Sequence, residues 1–505
     1  MTTDMTLDLL ITDVELFTYT SEDSTCSLWT QKSGAASDRN QKKFLHIHRT
    51  NVGIKNGKIA YVADADLNPI APKAKQIFSG SGLTAFPGII DSQVHFREPG
   101  LTHKEDLETG TRAALAGGVT SVFEMPNTNP TTTTAETFQN KLQRAQGRSW
   151  CHIGFFIGAA VGKDFDNTAE LAQLEKHKNC AGIKVFMGSS TGSLLVDNED
   201  ALAKIFQHGH RRIIIHAEDE ARLKERKHIA LEKKDPHFHP VWRDEETALI
   251  ATKKAVTMSL KYQRPVHILH ISSSEEMQYL RSIKSQLATA VATSTTTSAT
   301  TTVATPTATP SKNPNLISVE ILPQYLLLSA PSCYDQLGNL AQQNPPIRDQ
   351  RHLPELWKSV LDGTVDVMGS DHAPHTLEEK RKEYPNSPSG VPGVQTMLPL
   401  MLDQVNQQKL STQKLVDLLC ENPRDVFGCV TKGRIEVGLD ADLTLVDLKA
   451  QRRIENKWIQ SRCGWTPYDG VTVTGWPKTV FLKGQLAMHN DELLSLPKGE
   501  LVEFS

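Results

Sequence analysis

The sequence shows no excess of either charge, no apolar run long enough to cross a membrane, and no closely spaced pair of cysteines. Lys plus Arg number 55 against 58 Asp plus Glu, a formal charge of -3. That balance excludes the basic footprint of a nucleic-acid binder and offers no attraction to an anionic membrane surface. A helical membrane span needs about 20 apolar residues in succession, and no such run occurs. Met1-Thr2-Thr3-Asp4-Met5 lacks a basic stretch leading into an apolar one, so a secretory leader is not expected. The seven cysteines (Cys26, Cys151, Cys180, Cys333, Cys420, Cys429 and Cys463) are scattered and odd in number. They argue against a disulfide framework or a zinc knuckle, and for reduced thiols in a cytoplasmic protein.

What is present is a change of texture along the chain. Leu7 to Phe17 alternates like a strand, and Ile54 to Tyr61 reads as a hairpin about Asn56-Gly57. From Ala85, apolar β-branched runs alternate with charged, helix-compatible stretches, the βα repeat of a parallel barrel. Candidate strands begin near Ala85, Thr120, Cys151, Ala181, Arg212, Pro265, Ile317 and Thr364. After Lys432 short strands return, at Gly433-Arg434-Ile435, at Ala441 to Val446 and at Thr479 to Gly484. The expected fold is α/β: a (β/α)8 TIM-like barrel with a small β-sandwich domain built from both chain ends. Residues 1–84 and 431–505 form the small domain, with an insertion about 19–45, and residues 85–430 form the barrel. The Ser/Thr/Ala-rich stretch about 285–313 reads as a disordered insertion, because it has too little apolar surface to offset its ordering entropy.

Five polar residues stand at the ends of separate apolar runs: His95, Lys184, His216, His270 and Asp371. Strands that each deliver one polar residue at the carboxyl end are how a (β/α)8 barrel builds an active site. Gln93 and His95 are two apart and therefore face the same way, roughly 6.5 Å apart along a strand. Imidazole is a good zinc ligand and a carboxamide a poor one, so Gln93 is the weak member of the set. A buried ammonium at Lys184 is costly and binds no metal; an amine that captures carbon dioxide becomes a carbamate whose two oxygens do. Asp371, beside a metal-activated water, can both ligate and take the proton.

These residues resemble the amidohydrolase superfamily, and within it the dihydroorotases. The resemblance runs from about Leu9 to Val502, the two insertions excepted. Its most specific stretches are Val94-His95-Phe96-Arg97-Glu98-Pro99-Gly100, Met125-Pro126-Asn127-Thr128-Asn129-Pro130, Asn344-Pro345-Pro346-Ile347-Arg348 and Ser370-Asp371-His372-Ala373-Pro374-His375. The resemblance implies interconversion of N-carbamoyl-L-aspartate and L-dihydroorotate in pyrimidine biosynthesis. It assigns the substrate carboxylate to Arg97, Asn127, Asn344 and His375, and a guanidinium fork suits a carboxylate. It also implies Zn2+ bound by His95, carboxylated Lys184, His216, His270 and Asp371. A homodimer or an association with aspartate transcarbamoylase is expected on the same ground.

Two departures bear on chemistry. The superfamily reads H-x-H where this chain has Gln93-Val94-His95, and Gln324 in Pro323-Gln324-Tyr325-Leu326 replaces a histidine common in dihydroorotases. One firmly held metal and a weaker second is the expectation. Two other functions stay open from the sequence: a dihydropyrimidinase- or allantoinase-type cyclic amidase, which has no need of Arg97, and a non-catalytic partner of aspartate transcarbamoylase. His46, His48, His152 and His208 read as lying outside the barrel mouth, and His237 and His239 as loop packing. His267 reads as facing away from His270. Trp465 and Tyr468 read as packing between the small domain and the barrel.

Overall fold

A computed structural model describes residues 6–21, 42–66, 71–162, 165–189, 194–296, 315–494 and 499–505. Its amino-terminal strands are β1 (Leu7–Ser21), β2 (Lys42–Lys55), β3 (Lys58–Asp64), β4 (Ala74–Ser79) and β5 (Thr84–Pro87). The turn from β2 to β3 carries Asn56 and Gly57 at φ 51° and 74°, the left-handed pair that a two-residue hairpin turn requires. Eight barrel strands follow: β6 (Ile89–Val94), β7 (Val119–Glu124), β8 (His152–Gly158), β9 (Cys180–Phe186), β10 (Ile213–His216), β11 (Val266–Ile268), β12 (Ile317–Ile321) and β13 (Val367–Met368). The chain ends in β14 (Leu443–Arg453), β15 (Thr472–Leu482), β16 (Gln485–His489) and β17 (Glu492–Leu493).

Strands β6 to β13 pair in sequence order and in parallel. A parallel bridge between Val94 and His372 closes the ring, with His95 N–H donating to His372 O at 2.7 Å. The remaining nine strands form one mixed sheet. In it β5 lies between β1 and β14, with Ala85 opposite Leu445, so both chain ends share a sheet.

The run expected as one strand near Ala85 is therefore two, divided at Gly88. A Cβ there would meet Thr120 Oγ1 at 2.6 Å and Asp442 Cβ at 2.7 Å, and this close approach is where the chain passes from one sheet to the other. Gly433-Arg434-Ile435 also differs from expectation: it is irregular, with Gly433 at φ 81°.

Ile90, Phe123, Phe156 and Ile214 fill the barrel together with Phe427 and Phe504 from the carboxyl-terminal region. Phe427 and Phe504 meet Phe123 edge-on at 5.3 and 5.1 Å. Each such side chain, fully buried, contributes about 1.5–3 kcal/mol. Phe504 fits because Gly154 leaves room; a Cβ there would meet its ring at 2.5 Å. Phe504 N–H donates to Lys178 O, just ahead of β9, so this apolar plug sits at the amino ends of the strands. The polar residues collect at the other end.

Expected disorder from about residue 285 is corrected in part. The helix Ser274–Thr296 runs through 285–296, with Leu287 buried and Lys284 Nζ on Asp366 at 2.7 Å. No Gly or Pro interrupts the sequence until Pro306, so a helix anchored by packing propagates into it. Residues 297–314 lie outside the described residues. So do residues 22–41, most of the insertion expected at about 19–45; residues 19–21 and 42–45 belong to β1 and β2. Among the described residues no helix is long and apolar enough to cross a membrane.

Candidate metal centre and active site

The strand ends bring the expected ligands together. Gln93 lies in β6 and His95 just beyond it, Lys184 lies in β9, and His216 ends β10. His270 and Asp371 fall two and three residues past β11 and β13, both at positive φ (39° and 44°). All six line one small cavity of about 20 Å³ with Phe186, Asn344, Ala373, Ser389 and Gly390. About 10–15 Å³ accommodates one water-sized particle, so this is room for an ion or a water.

Polar atoms meet there without partners. Lys184 Nζ, His270 Nδ1 and Gln93 Oε1 are buried and lack a hydrogen-bond partner among the described residues. Lys184 Nζ sits 4.5 Å from the centre of the Phe186 ring. His216 Nδ1 and His270 Nε2 lie 3.1 Å apart, and His95 Nε2 is 3.3 Å from Asp371 Oδ1. Gln93 Nε2 donates to the same Oδ1 at 3.0 Å.

Burial sets the protonation of this cluster. It pushes Lys184 down to about 7 and His95 to about 4; burial and the neighbouring cationic groups hold His270 well below the ordinary histidine range. Histidines must be neutral to bind a metal, and an amine must be neutral to take up carbon dioxide. Three imidazoles, a carboxylate and a readily deprotonated amine around an ion-sized cavity fit a divalent cation.

The residues expected to hold substrate are placed unevenly. Asn344 lines the cavity; Arg97, Asn127 and His375 stand behind its wall. Asn127 Oδ1 is 2.7 Å from His95 Nδ1. Arg97, at φ 64°, donates from Nε to Pro374 O at 3.2 Å and has its Nη2 3.3 Å from His375 Nε2. His375 Nδ1 lies 3.1 Å from Lys104 Nζ, and Nε2 lies 3.1 Å from Ser389 O on the cavity lip. Burial pushes His375 down to about 3.

Several supporting residues escaped sequence reasoning. Glu218 Oε2 is 2.8 Å from His216 Nε2, and Arg243 grips both oxygens of Glu218, one through Nε at 3.0 Å. Arg243 also donates to Ser189 O at 2.9 Å. The H-x-E spacing at His216 and Glu218 was the available signal; Arg243, 25 residues on, had none. His239, read as loop packing, is buried with Nε2 3.0 Å from Asn344 Oδ1. Trp465 Nε1 donates to His375 O at 2.8 Å, so it supports the site as well as packing. His267 does not face away. The strand ends at Ile268 and His270 leaves it at positive φ, so both rings reach the barrel interior; His267 lies 2.8 Å from Ser318 Oγ and 3.6 Å from Glu320. Gln324 Nε2 donates to Ser370 O at 2.9 Å, beside Asp371.

The profile described as Amidohydrolase family matches residues 84–487. The chain is 32% identical over 458 residues to a dihydroorotase of Methanosarcina acetivorans, covering 90% of this chain and 91% of that one. It is 28% identical over 451 residues to a dihydroorotase of Methanothermobacter thermautotrophicus, covering 88% and 92%. It is 31% identical over 422 residues to the multifunctional protein CAD of Squalus acanthias, covering 83% of this chain and 16% of that one. Among solved structures it resembles an L-hydantoinase from Arthrobacter aurescens, with TM-score 0.82 and 24% identity over 98% of this chain and 100% of that chain. At that identity the likeness speaks for the fold.

Proposed function

The chain belongs to the amidohydrolase family, and we propose from that premise that it is a dihydroorotase, hydrolysing and closing the cyclic amide between L-dihydroorotate and N-carbamoyl-L-aspartate in pyrimidine biosynthesis. The observation that carries this reading is the ion-sized cavity lined by Gln93, His95, Lys184, His216, His270 and Asp371, in a chain alike over nine-tenths of its length to a dihydroorotase.

Lys184, as a carbamate, would hold a Zn2+ ion firmly with His216 and His270. His95 and Asp371 offer a weaker second position, where Gln93 supplies an amide in place of an imidazole. When bound, the metal polarises the scissile carbonyl and lowers the pKa of water toward neutrality. Asp371 takes the proton from the attacking water and returns it to the ring nitrogen that leaves; in the opposite direction it receives the proton of the carbamoyl nitrogen as the N–C bond forms and passes it to the carboxyl oxygen that departs as water. Arg97, Asn127, Asn344 and His375 hold the substrate carboxylate, with Arg97 moving off Pro374 O to do so. A guanidinium offers such a carboxylate two parallel hydrogen bonds.

The test is a spectrophotometric assay of metal-replete protein with dihydroorotate, run beside dihydrouracil and allantoin. Turnover of dihydroorotate alone supports the reading. Turnover of the uncharged amides alone makes it another cyclic amidase, and turnover of none makes it a non-catalytic relative. A homodimer, association with aspartate transcarbamoylase and a cytoplasmic location belong to the same proposal. Sedimentation of the chain alone and mixed with that enzyme tests the first two.

A further inference from the structure

Outside the barrel, the nine-stranded sheet gathers three metal-binding side chains on one face. His46 and His48 are two apart on β2 and so point the same way. Glu15 stands opposite on β1, at the register irregularity between Val14 and Leu16. Glu15 Oε1 lies 2.8 Å from His46 Nε2 and 3.5 Å from His48 Nδ1. One ligand atom from each residue falls within 4.8 Å of the other two. A tetrahedral ion with bonds of 2.0–2.2 Å holds its ligands about 3.4 Å apart, so this trio needs little rearrangement to close on one.

The group is also held in place. Thr84 Oγ1 donates to Glu15 Oε2 at 2.8 Å, which leaves Oε1 turned toward the two rings. His46 stacks on Phe17 with ring centres 4.1 Å apart and planes 15° from parallel. His46 and His48 have ring centres 4.4 Å apart. The His48 side chain is 80% exposed, which gives an ion a path in and keeps a coordination position for water.

The geometry points to a second metal site, Glu15–His46–His48, taking one divalent ion of the Zn2+, Ni2+ or Cu2+ kind with a water in its open position. Two imidazoles and one carboxylate suit these borderline ions; Mg2+ and Ca2+ prefer all-oxygen shells. A bound ion ties β1 to β2 a few residues before the two strands leave for residues 22–41. Binding only the folded sheet, it stabilises the protein by mass action. The site shares no residue with the barrel mouth and does not depend on the function proposed above.

The test uses Zn2+ alone, titrated in competition with a chromophoric chelator into the whole chain, into His48→Ala and into His46→Ala/His48→Ala. His48 is exposed, so the single substitution leaves folding undisturbed. Expected is one more equivalent bound by the parent than by either variant, at micromolar or tighter affinity. Added Zn2+ should raise the thermal midpoint of the parent more than that of the variants. Hydrolysis of the cyclic amide should be the same in all three. Equal stoichiometry in parent and variants, or an extra equivalent only at millimolar Zn2+, makes the trio an ion pair with an adventitious ion only. A barrel that binds no metal leaves the difference between parent and variants readable, so the two proposals fail separately.

Discussion

Gln93 donates its amide N–H to Asp371 Oδ1 at 3.0 Å, the same oxygen that lies 3.3 Å from His95 Nε2. The residue that departs from the family pattern is thus bonded to a proposed metal ligand and orients it. Gln93 Oε1 has no partner among the described residues and is the only atom that side chain has left for a cation.

Gln93→His replaces that weak oxygen with an imidazole. Elemental analysis should find about one metal equivalent in the parent barrel and about two in the variant, both counted in a His48→Ala background. An unchanged count would show that Gln93 is not what limits the second position.

Lys184→Met removes the amine while keeping length and apolar character. Metal at the barrel should be lost, and with it hydrolysis of dihydroorotate. Protein equilibrated with 13C-bicarbonate should show a carbamate carbon resonance in the parent and none in the variant. A resonance that persists would move the carbamate away from Lys184.

Arg243→Gln leaves Glu218 without its guanidinium, and His216 then loses a fixed carboxylate partner. Groups that orient a metal-binding histidine typically alter metal affinity or activity about 10- to 100-fold. Chelator competition should show a loss of that size in a folded protein. Arg243→Lys should recover only part, since it cannot engage both oxygens.

Arg97→Ala should lower kcat/KM for dihydroorotate roughly 10- to 150-fold, the equivalent of about 1.5–3 kcal/mol for hydrogen bonds to a charged group. Any residual hydrolysis of dihydrouracil, which has no carboxylate, should be little changed. Equal losses on both substrates would make Arg97 a support for the Pro374–His375 segment.

Asp244 caps the helix Glu245–Tyr262 and takes two hydrogen bonds from Arg222, at 2.9 and 2.6 Å. Burial opposes its charge, but the Arg222 and Thr247 hydrogen bonds outweigh it and bring its pKa down from 3.8 to about 2. Because the folded pKa is the lower one, the unfolded chain binds the proton first as pH falls. The stabilisation is complete above about pH 4 and lost as pH drops through about 2. Asp244→Asn should cost roughly 1–2 kcal/mol at pH 7, after allowance for solvent screening. Urea unfolding at a series of pH values should show the two proteins converging near pH 2.

Much of this was legible because strands announce themselves locally. Ile213-Ile214-Ile215-His216 is apolar until its last residue, and that pattern alone located a residue of the cavity. Asn56-Gly57 likewise fixed a turn by its backbone requirement. What stayed hidden depends on contacts far apart in sequence. Arg243 on Glu218 and Trp465 on His375 are matters of tertiary approach. Pro87-Gly88 signals a break in the run near Ala85, but that the chain changes sheets there depends on the close approach of Thr120 and Asp442 to Gly88. His267 was misjudged because alternation holds only while the strand lasts, and β11 stops at Ile268.

The meeting of Val94 with His372 has a mechanical consequence. Gln93–Asp371, His95–Asp371 and Arg97–His375 all span the same junction, between the first staves of the ring and the last. This seam joins segments about 280 residues apart in the chain, and its backbone bridge, Val94 with His372, lies beyond the end of the two-residue β13. An occupant clasped by His95 and Asp371 would act as a rivet there, so filling the catalytic mouth and holding the cylinder shut become one event.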